Sequence, residues 1–207
     1  MKRIILTMLF VFAFKIAYSQ QMEDKIYHLN IMSSVGSGNL TNNQLGVLNG
    51  NYFRLGLHLD SRILKDTFLD DIFISTGLGF TQFSGNFIAN NQSVNINNRY
   101  IDLPLMINFK EYFDKEKKLI FIISGGLSLN YLFDSNQKSI NNNQNLDVNG
   151  FNLGRIGRTG IEYLLTNKYY LGIAYHYYGD FTKIEKNGVS NSLNNVNSVN
   201  ISIGFRR

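Results

Sequence analysis

Alternation of apolar and polar residues is the feature that most constrains how this chain can fold. In the clearest segment, Arg99 to Lys110, apolar residues occupy every second position from Ile101 to Phe109. Such a period places the two sets of side chains on opposite faces of a β-strand. The pattern recurs, in places more weakly, in seven other segments: 26–38, 51–64, 72–83, 119–131, 151–165, 169–178 and 199–205. The sequence therefore predicts eight strands of about 11–16 residues, long for a soluble sheet.

The N-terminal segment has the pattern of an export signal. Lys2 and Arg3 precede an apolar run from Ile4 to Phe14, and small residues follow at Ala17 and Ser19. The run is shorter than the ~20 residues that a membrane-spanning helix needs. We therefore predict a signal peptide over 1–19 and one mature domain over 20–207.

Charge and cysteine content exclude several classes of function. The formal net charge is +5, but the predicted signal peptide carries three basic residues and no acidic one, which leaves +2 on the mature chain. This small excess does not predict a nucleic-acid partner. The chain has no cysteine, which excludes a disulfide framework, a thiolate metal site and a cysteine nucleophile.

The connections between the predicted strands alternate in length and composition. In chain order they are 39–50, 65–71, 86–98, 113–118, 134–150, 166–168 and 182–195. The longer ones are rich in asparagine, and the two clearest short ones are charged. An up-and-down barrel in an outer membrane sorts its connections in this way, with short periplasmic turns and longer external loops. We therefore predict an all-β, eight-stranded antiparallel up-and-down transmembrane barrel in the outer membrane, with both termini periplasmic and the asparagine-rich loops extracellular.

The polar face of the predicted strands carries charged residues that would point into the barrel. An eight-stranded barrel is just wide enough for side chains to fill it, so these charges are expected to pair. We interpret them as a structural network; a charged constriction that selects solutes is the alternative. The network comprises Arg54, Asp60, Arg62, Asp102, Lys110, Arg158, Glu162, His176 and Asp180. The expected pairs are Glu162 with Arg62 or Lys110, and Asp102 with Arg54 or Arg158.

The apolar face ends in aromatic residues, as expected where lipid meets water on both sides of a membrane. The predicted girdle comprises Phe109, Tyr131, Phe133, Tyr163, Tyr169, Tyr177, Phe181 and Phe205. In a soluble, lipocalin-like barrel the same residues would belong to the core, and that alternative stays open.

Two residues fit the membrane barrel poorly. Pro104 removes one backbone donor from the best strand, which predicts a bulge or an unpaired position, and Arg155 falls on the lipid face, through snorkelling or a register shift.

Three motifs resemble the small outer-membrane β-barrels described as PorT-like or porin-like. They are the segment 100–105 with Lys110 downstream, the segment 157–163, and the closing segment 200–205. The resemblance covers essentially the whole mature chain and implies an OmpA/OmpX-like barrel without a periplasmic domain, in which a proline in strand four is tolerated. The final strand resembles the signal for the barrel-insertion machinery, although two arginines follow Phe205.

Nothing in the sequence predicts an active site. The histidines at 28, 58 and 176 lie in no catalytic motif and lack metal-ligand spacing, so no catalytic residue, cofactor or metal is expected. We predict a non-enzymatic barrel that serves envelope structure, surface interaction or secretion as an accessory. The alternatives are a narrow diffusion pore for small solutes and a lipid-modifying enzyme, which would need a lipid-facing Ser–His pair. The expected partners are outer-membrane lipid, the insertion machinery and an unidentified envelope or secretion protein.

Overall fold

The computed structural model describes residues 27–62, 72–89, 92–114, 118–139 and 148–206, and these residues form β-structure. The predicted signal peptide and connection 65–71 lie outside them, as do residues 140–147 of connection 134–150. The strands are β1 (Tyr27–Asn42), β2 (Gly46–Arg62), β3 (Ile72–Ala89), β4 (Gln92–Tyr112), β5 (Leu119–Ser139), β6 (Gly150–Leu164), β7 (Tyr169–Asp180), β8 (Ile184–Lys186) and β9 (Val189–Arg206). Within the described residues, no helix is long and apolar enough to span a membrane.

Eight long strands close into a barrel. Strands β1 to β7 pair antiparallel in chain order, β7 pairs with β9, and β9 pairs with β1. The short strand β8 forms a hairpin with the beginning of β9 and stands outside the circuit. The predicted eight-stranded up-and-down barrel is therefore confirmed.

The pairing registers fix the tilt of the strands. The partners that link Tyr27 round the barrel are Ser61, Ile74, Ile107, Gly125, Gly157, Tyr177 and Asn197. Asn197 then pairs with Ser37, ten residues beyond Tyr27 on the same strand. A stagger of this kind requires tilted strands, and it keeps the interior of an eight-stranded barrel narrow enough to be filled by side chains.

The faces of the barrel are arranged for a lipid surrounding. Outward-facing Leu57, Leu105 and Ile107 are at least half exposed, whereas inward-facing Asp60 and Glu162 are fully buried. A soluble ligand-binding barrel has the reverse arrangement, with apolar residues inside. The observed alternation is that of a transmembrane barrel with an apolar outer band and a polar interior.

The strands extend farther than the sequence analysis predicted, so four predicted connections have the wrong boundaries. The segment 39–50 is the end of β1, a turn at 43–45 and the start of β2, and most of 86–98 belongs to β3 and β4. Strand β5 continues to Ser139, and β8 with the first part of β9 occupies much of 182–195. The residues predicted as long loops are largely tall β-hairpins that continue the barrel wall.

The interior of the barrel changes from polar to apolar towards these extensions. Buried apolar side chains replace the polar lumen there, while the outer face becomes polar. The main cluster joins Leu40, Leu48, Val94, Ile96 and Leu193 of the extensions to Tyr52, Phe83, Met106, Ile156, Tyr178 and Val196 of the adjoining barrel wall, and a second one comprises Tyr100, Leu132, Val148, Ile184 and Val189. The outer end of the barrel is therefore packed like a soluble β-protein, with apolar residues inside.

Two irregularities shift the alternation at the outer end. The pairing of β1 with β9 slips beside Asn195, whose φ of 48° is left-handed, and the buried position moves from Val196 to Leu193. The pairing of β4 with β5 slips above Tyr100, and the buried position moves from Leu132 to Ser135. Each extra residue exchanges the faces of the strand beyond it, as β-bulges do.

Pro104 leaves an unpaired position and no bulge. Strand β4 pairs with β3 at Leu105–Thr76 and at Asp102–Gly79, and the same register holds on both sides of the gap. The two positions between are skipped by the β3–β4 ladder, whereas Pro104 keeps its position opposite Ser128 of β5. The missing N–H therefore interrupts one ladder locally without shifting the strand.

We predict that an arginine in the middle of the apolar band destabilises the barrel. Leu105 is 57% exposed at the centre of the outward stripe of β4, and Val47 is 64% exposed beside the β1–β2 turn. In lipid vesicles, Leu105→Arg is expected to lower the free energy of unfolding by about 2–4 kcal/mol, and Val47→Arg by close to zero. Urea titration of both variants measures the difference. Equal effects would contradict a membrane-embedded band.

Candidate functional site

A lysine at the inner end of the lumen joins two acidic residues. Lys110 Nζ lies 3.0 Å from Asp60 Oδ2, 3.1 Å from Glu162 Oε2 and 3.1 Å from His28 Nδ1. All four side chains are buried. Strands β1, β2, β4 and β6 each contribute one of them, so the cluster connects opposite walls of the barrel.

Polar and aromatic groups complete the surroundings of this cluster. Asn30 Nδ2 donates to Asp60 Oδ2 at 3.0 Å, and the Tyr170 hydroxyl donates to Asn30 Oδ1. Lys110 Nζ also lies 5.3 Å from the centre of the Phe73 ring and 5.4 Å from that of Tyr170. The ammonium group is thereby surrounded by carboxylates and π-faces, which replace the water it loses on burial.

Arg158 adds the second positive charge. Its Nη2 lies 3.7 Å from Glu162 Oε1, and its Nη1 lies 3.1 Å from Met32 Sδ. With Lys110, Asp60 and Glu162 the cluster contains two cations and two anions. Because the charges balance, four buried ionic groups can coexist in a narrow lumen.

A separate ion pair lies farther out. Arg54 Nη2 lies 2.5 Å from Asp102 Oδ1, and Thr81 Oγ1 donates to Asp102 Oδ2 at 3.0 Å. Arg54 Nη2 also lies 3.1 Å from His58 Nε2. Gly79 makes room for the pair, because a Cβ at this position would collide with the Asp102 carboxylate.

The lumen is closed above this pair. Asn130 Nδ2 donates to the Tyr178 hydroxyl at 2.7 Å, that hydroxyl donates to Asp180, and the Leu193 amide donates to Asp180 Oδ2 at 2.6 Å. A cavity of about 10 Å³ remains between Arg54 and these residues, about the space of one water molecule. The apolar core of the outer extension begins directly beyond it.

The structure groups the predicted lumenal residues unevenly. It brings together Asp60, Lys110, Arg158 and Glu162 in one cluster and Arg54 with Asp102 in a second pair. The remaining three lie apart from these ion pairs. Arg62 lies over the Phe73 ring at 5.7 Å, His176 contacts Ser198, and Asp180 accepts from the groups described above.

A serine and a histidine do meet in this barrel, but they face its interior. His176 Nδ1 lies 3.0 Å from Ser198 Oγ, and both side chains are buried. A lipid-modifying enzyme was expected to show such a pair on the lipid face, where a lipid substrate could reach it. Among the described residues, no three His, Asp or Glu side chains are grouped as a metal site.

The predicted girdle residues point outward, exposed or half-buried, near the two ends of the apolar band. Phe109, Tyr163, Tyr169 and Phe205 lie towards the short turns, and Tyr131, Phe133, Tyr177 and Phe181 lie towards the tall hairpins. Several contact a neighbouring aromatic ring: the ring centres of Tyr169 and Phe205 are 5.5 Å apart, and those of Tyr131 and Phe151 are 4.6 Å apart.

Sequence analysis missed several members of the inner cluster. His28 of this cluster, and His58 beside the Arg54–Asp102 pair, were considered only as catalytic candidates, and Asn30 and Tyr170 were not singled out. The available signal was their position, because each occupies the inward-facing parity of its strand. The sequence left two possible partners for Glu162 and two for Asp102, and the structure has Lys110 with the first and Arg54 with the second, a choice that depends on the stagger between strands.

Comparison with known proteins supports the fold. No family model and no curated protein sequence matches the chain. The outer-membrane protease OmpT of Escherichia coli matches with a TM-score of 0.53 and 6% identity, covering 89% of this chain and 97% of that one. The outer-membrane enzyme PagL (TM-score 0.49, 15% identity, 84% and 97% covered) and neisserial surface protein A (0.47, 18%, 89% and 98%) are also similar.

The match to OmpT supports the class of fold and leaves the family open. The chain has the fold of outer-membrane β-barrel proteins, with eight strands in the closed circuit. At such low identity the likeness extends to the fold alone. Membership of the PorT-like family stays a prediction from the sequence motifs.

We predict that the buried ion pair matters far more for stability than an exposed one. Asp102→Asn leaves Arg54, 3% exposed, without its carboxylate and is expected to lower the free energy of unfolding by about 3–5 kcal/mol. Asp134→Asn breaks the half-exposed pair with Arg99, 2.9 Å long, and is expected to cost about 0–1 kcal/mol. Urea unfolding in detergent micelles, followed by gel mobility without boiling, compares the two. Similar losses would contradict the structural importance of the lumenal pair.

Proposed function

We propose that this protein is an integral outer-membrane barrel that does not conduct solutes and that presents a rigid polar surface to the cell exterior for interaction with another molecule. The observation that carries the proposal is the double closure of its lumen. Ionic clusters fill the membrane-embedded part, and an apolar core fills the part beyond. A diffusion pore would need a continuous polar path, and this arrangement disfavours one.

The outer face of the tall hairpins supports a role in recognition. Above the apolar band it presents many uncharged amide side chains: Asn39, Asn49, Asn51, Asn86, Asn95, Asn97, Asn136 and Asn197. Some are organised, since Asn95 Nδ2 donates to Asn86 Oδ1 at 2.6 Å. Each amide offers both donors and an acceptor, which suits hydrogen bonding to a glycan or to another protein. Because these groups stand on paired strands, binding would cost little ordering entropy.

The proposed orientation places the hairpin tips outside the cell and the termini in the periplasm. Short turns on one side and tall hairpins on the other are the arrangement typical of outer-membrane barrels. A narrower role as an accessory to secretion rests on the PorT-like resemblance of the segment 100–105. It would give the external surface a secretion-system protein as its partner.

We predict that the purified protein forms no channel. In planar bilayers it is expected to produce no stepwise conductance, because the Arg54–Asp102 pair and the apolar core block the lumen in series. A general porin recorded in the same bilayers provides the positive control. Stable unitary steps that require the folded, heat-modifiable protein would contradict the proposal and favour the pore.

We predict that single cysteines report the orientation, since the chain has none of its own. Val47→Cys lies beside the β1–β2 turn, and Asn167→Cys lies in the exposed turn between β6 and β7. In intact cells a membrane-impermeant maleimide is expected to label the first and to leave the second unmodified until the outer membrane is permeabilised. The opposite labelling pattern would invert the proposed topology.

A further inference from the structure

One cation lies on the outer wall among apolar residues. Arg155 points outward from β6, in line with Leu153 and Phe151 above it and Ile161 below it, all exposed. The register of β6 with both neighbours runs without a slip through this position. Arg155 therefore faces the lipid as a regular member of the outward stripe, and the register shift considered in the sequence analysis is wrong.

Residues of the neighbouring strand β7 contact this guanidinium and hold it in place. Gly179 lies opposite Arg155 on β7, and a Cβ there would lie 3.5 Å from Arg155 Nε, so the arginine rests across the bare backbone. Arg155 Nη2 donates to the Tyr177 hydroxyl at 2.8 Å. The guanidinium carbon lies 5.4 Å from the centre of the Tyr177 ring and 5.8 Å from that of Phe181. These contacts hold the cation in place beside the outer aromatic girdle.

The charge of Arg155 is not neutralised by the described part of the chain. The ion pairs there use Arg54, Arg99, Lys110 and Arg158, and none reaches Arg155. Only one of its five N–H donors is used by Tyr177, which carries no charge. A guanidinium that faces lipid costs most at the bilayer midplane and little near its boundary, so an anion at Arg155 would add a favourable contact to a cation that the wall already tolerates.

The wall below Arg155 is indented. Gly157, the next outward position on β6, pairs with the outward Gly125 of β5, and neither has a side chain to fill the apolar band. Beside them a depression of about 390 Å³ opens on the outer surface, lined mainly by apolar residues and containing Thr159, Ile173 and Tyr175. Thr159, at the edge of the depression, lies two outward positions below Arg155 on β6, and the bare position at Gly157 separates the cation from the depression.

We propose that this surface binds one anionic lipid, with the headgroup phosphate on Arg155 and an acyl chain in the depression beneath. Charge and polarity argue for this occupant. The guanidinium, which forms no ion pair with the described residues, attracts an anionic headgroup, and the apolar surface below accommodates a hydrocarbon chain. The planar N–H groups left free on Arg155 match the oxygens of a phosphate. A second protein could cover the same wall, and the experiment below separates the two. The inference rests on the proposed membrane location, which is checked first.

The test compares lipids that differ only in headgroup. The folded protein in detergent micelles receives equal amounts of phosphatidylglycerol and phosphatidylcholine with identical acyl chains, and native mass spectrometry counts the lipids retained. The wild type is expected to retain the anionic lipid about tenfold better, as befits one charge-assisted contact. Arg155→Gln is expected to abolish this preference. The matched control Arg99→Gln removes an outward cation that is already paired with Asp134 and is expected to keep the preference.

A second pair of variants tests the bare wall between the cation and the depression, over which the acyl chain would lie. A Cβ at Gly157 would meet only a backbone oxygen at 3.6 Å, and one at Gly125 would meet nothing within 4 Å, so the wall has room for a side chain to begin at either position. Gly157→Leu and Gly125→Leu are expected to reduce retention of both lipids.

Failure of the lipid site can be distinguished from failure of the proposed membrane location. A headgroup preference that survives Arg155→Gln, or that Arg99→Gln removes equally, overturns the proposal. So does displacement of the lipid by inorganic phosphate alone, or cross-linking of a second protein at this wall in its place. Each variant is first tested for heat-modifiable mobility. A wild type without it would overturn the membrane barrel itself, whereas a heat-modifiable wild type without the preference overturns only the lipid site.

Discussion

The hydrogen bonding of β9 to β1 is the interaction on which the rest of this structure depends. In a lipid surrounding an unpaired strand edge is prohibitively costly, because no water can satisfy its N–H and C=O groups. Closure with eight strands satisfies them and at the same time fixes a narrow interior. The narrow interior in turn requires that charges be paired, that glycines such as Gly79 stand beside the ion pair, and that little space remain for solute.

Much of this architecture could be predicted from the sequence, because the constraint acts residue by residue. Lipid on one side and a polar lumen on the other impose period two, so the inward position of Asp102 and the outward position of Leu103 follow from parity. The partner of each lumenal charge does not follow in this way. Lys110 meets both Asp60 and Glu162 because the stagger brings β2, β4 and β6 to one level, and stagger is a property of the closed barrel.

The outer end was mispredicted for a physical reason. Asparagine-rich composition is typical of loops, and the alternation changes phase in β9 at Asn195 and in β5 between Leu132 and Ser135. A bulge adds one residue and so breaks the sequence pattern while preserving the wall. The segment from Val94 to Asn97 still alternates apolar and amide residues, and this signal was available. In these hairpins the apolar residues point inward and the amide residues outward, because water surrounds them in place of lipid.

That reversal gives the molecule two kinds of interior, polar and apolar, that follow one another along the barrel axis. The lower part depends on the bilayer for its exterior, whereas the upper part is sustained by its own apolar filling, from Leu40 across to Phe83 and Leu193. Residues on the outside of the upper part therefore contribute little to folding. Their identities can change at small cost in stability while the scaffold beneath stays as it is, so this surface can vary in sequence more freely than the membrane-embedded part.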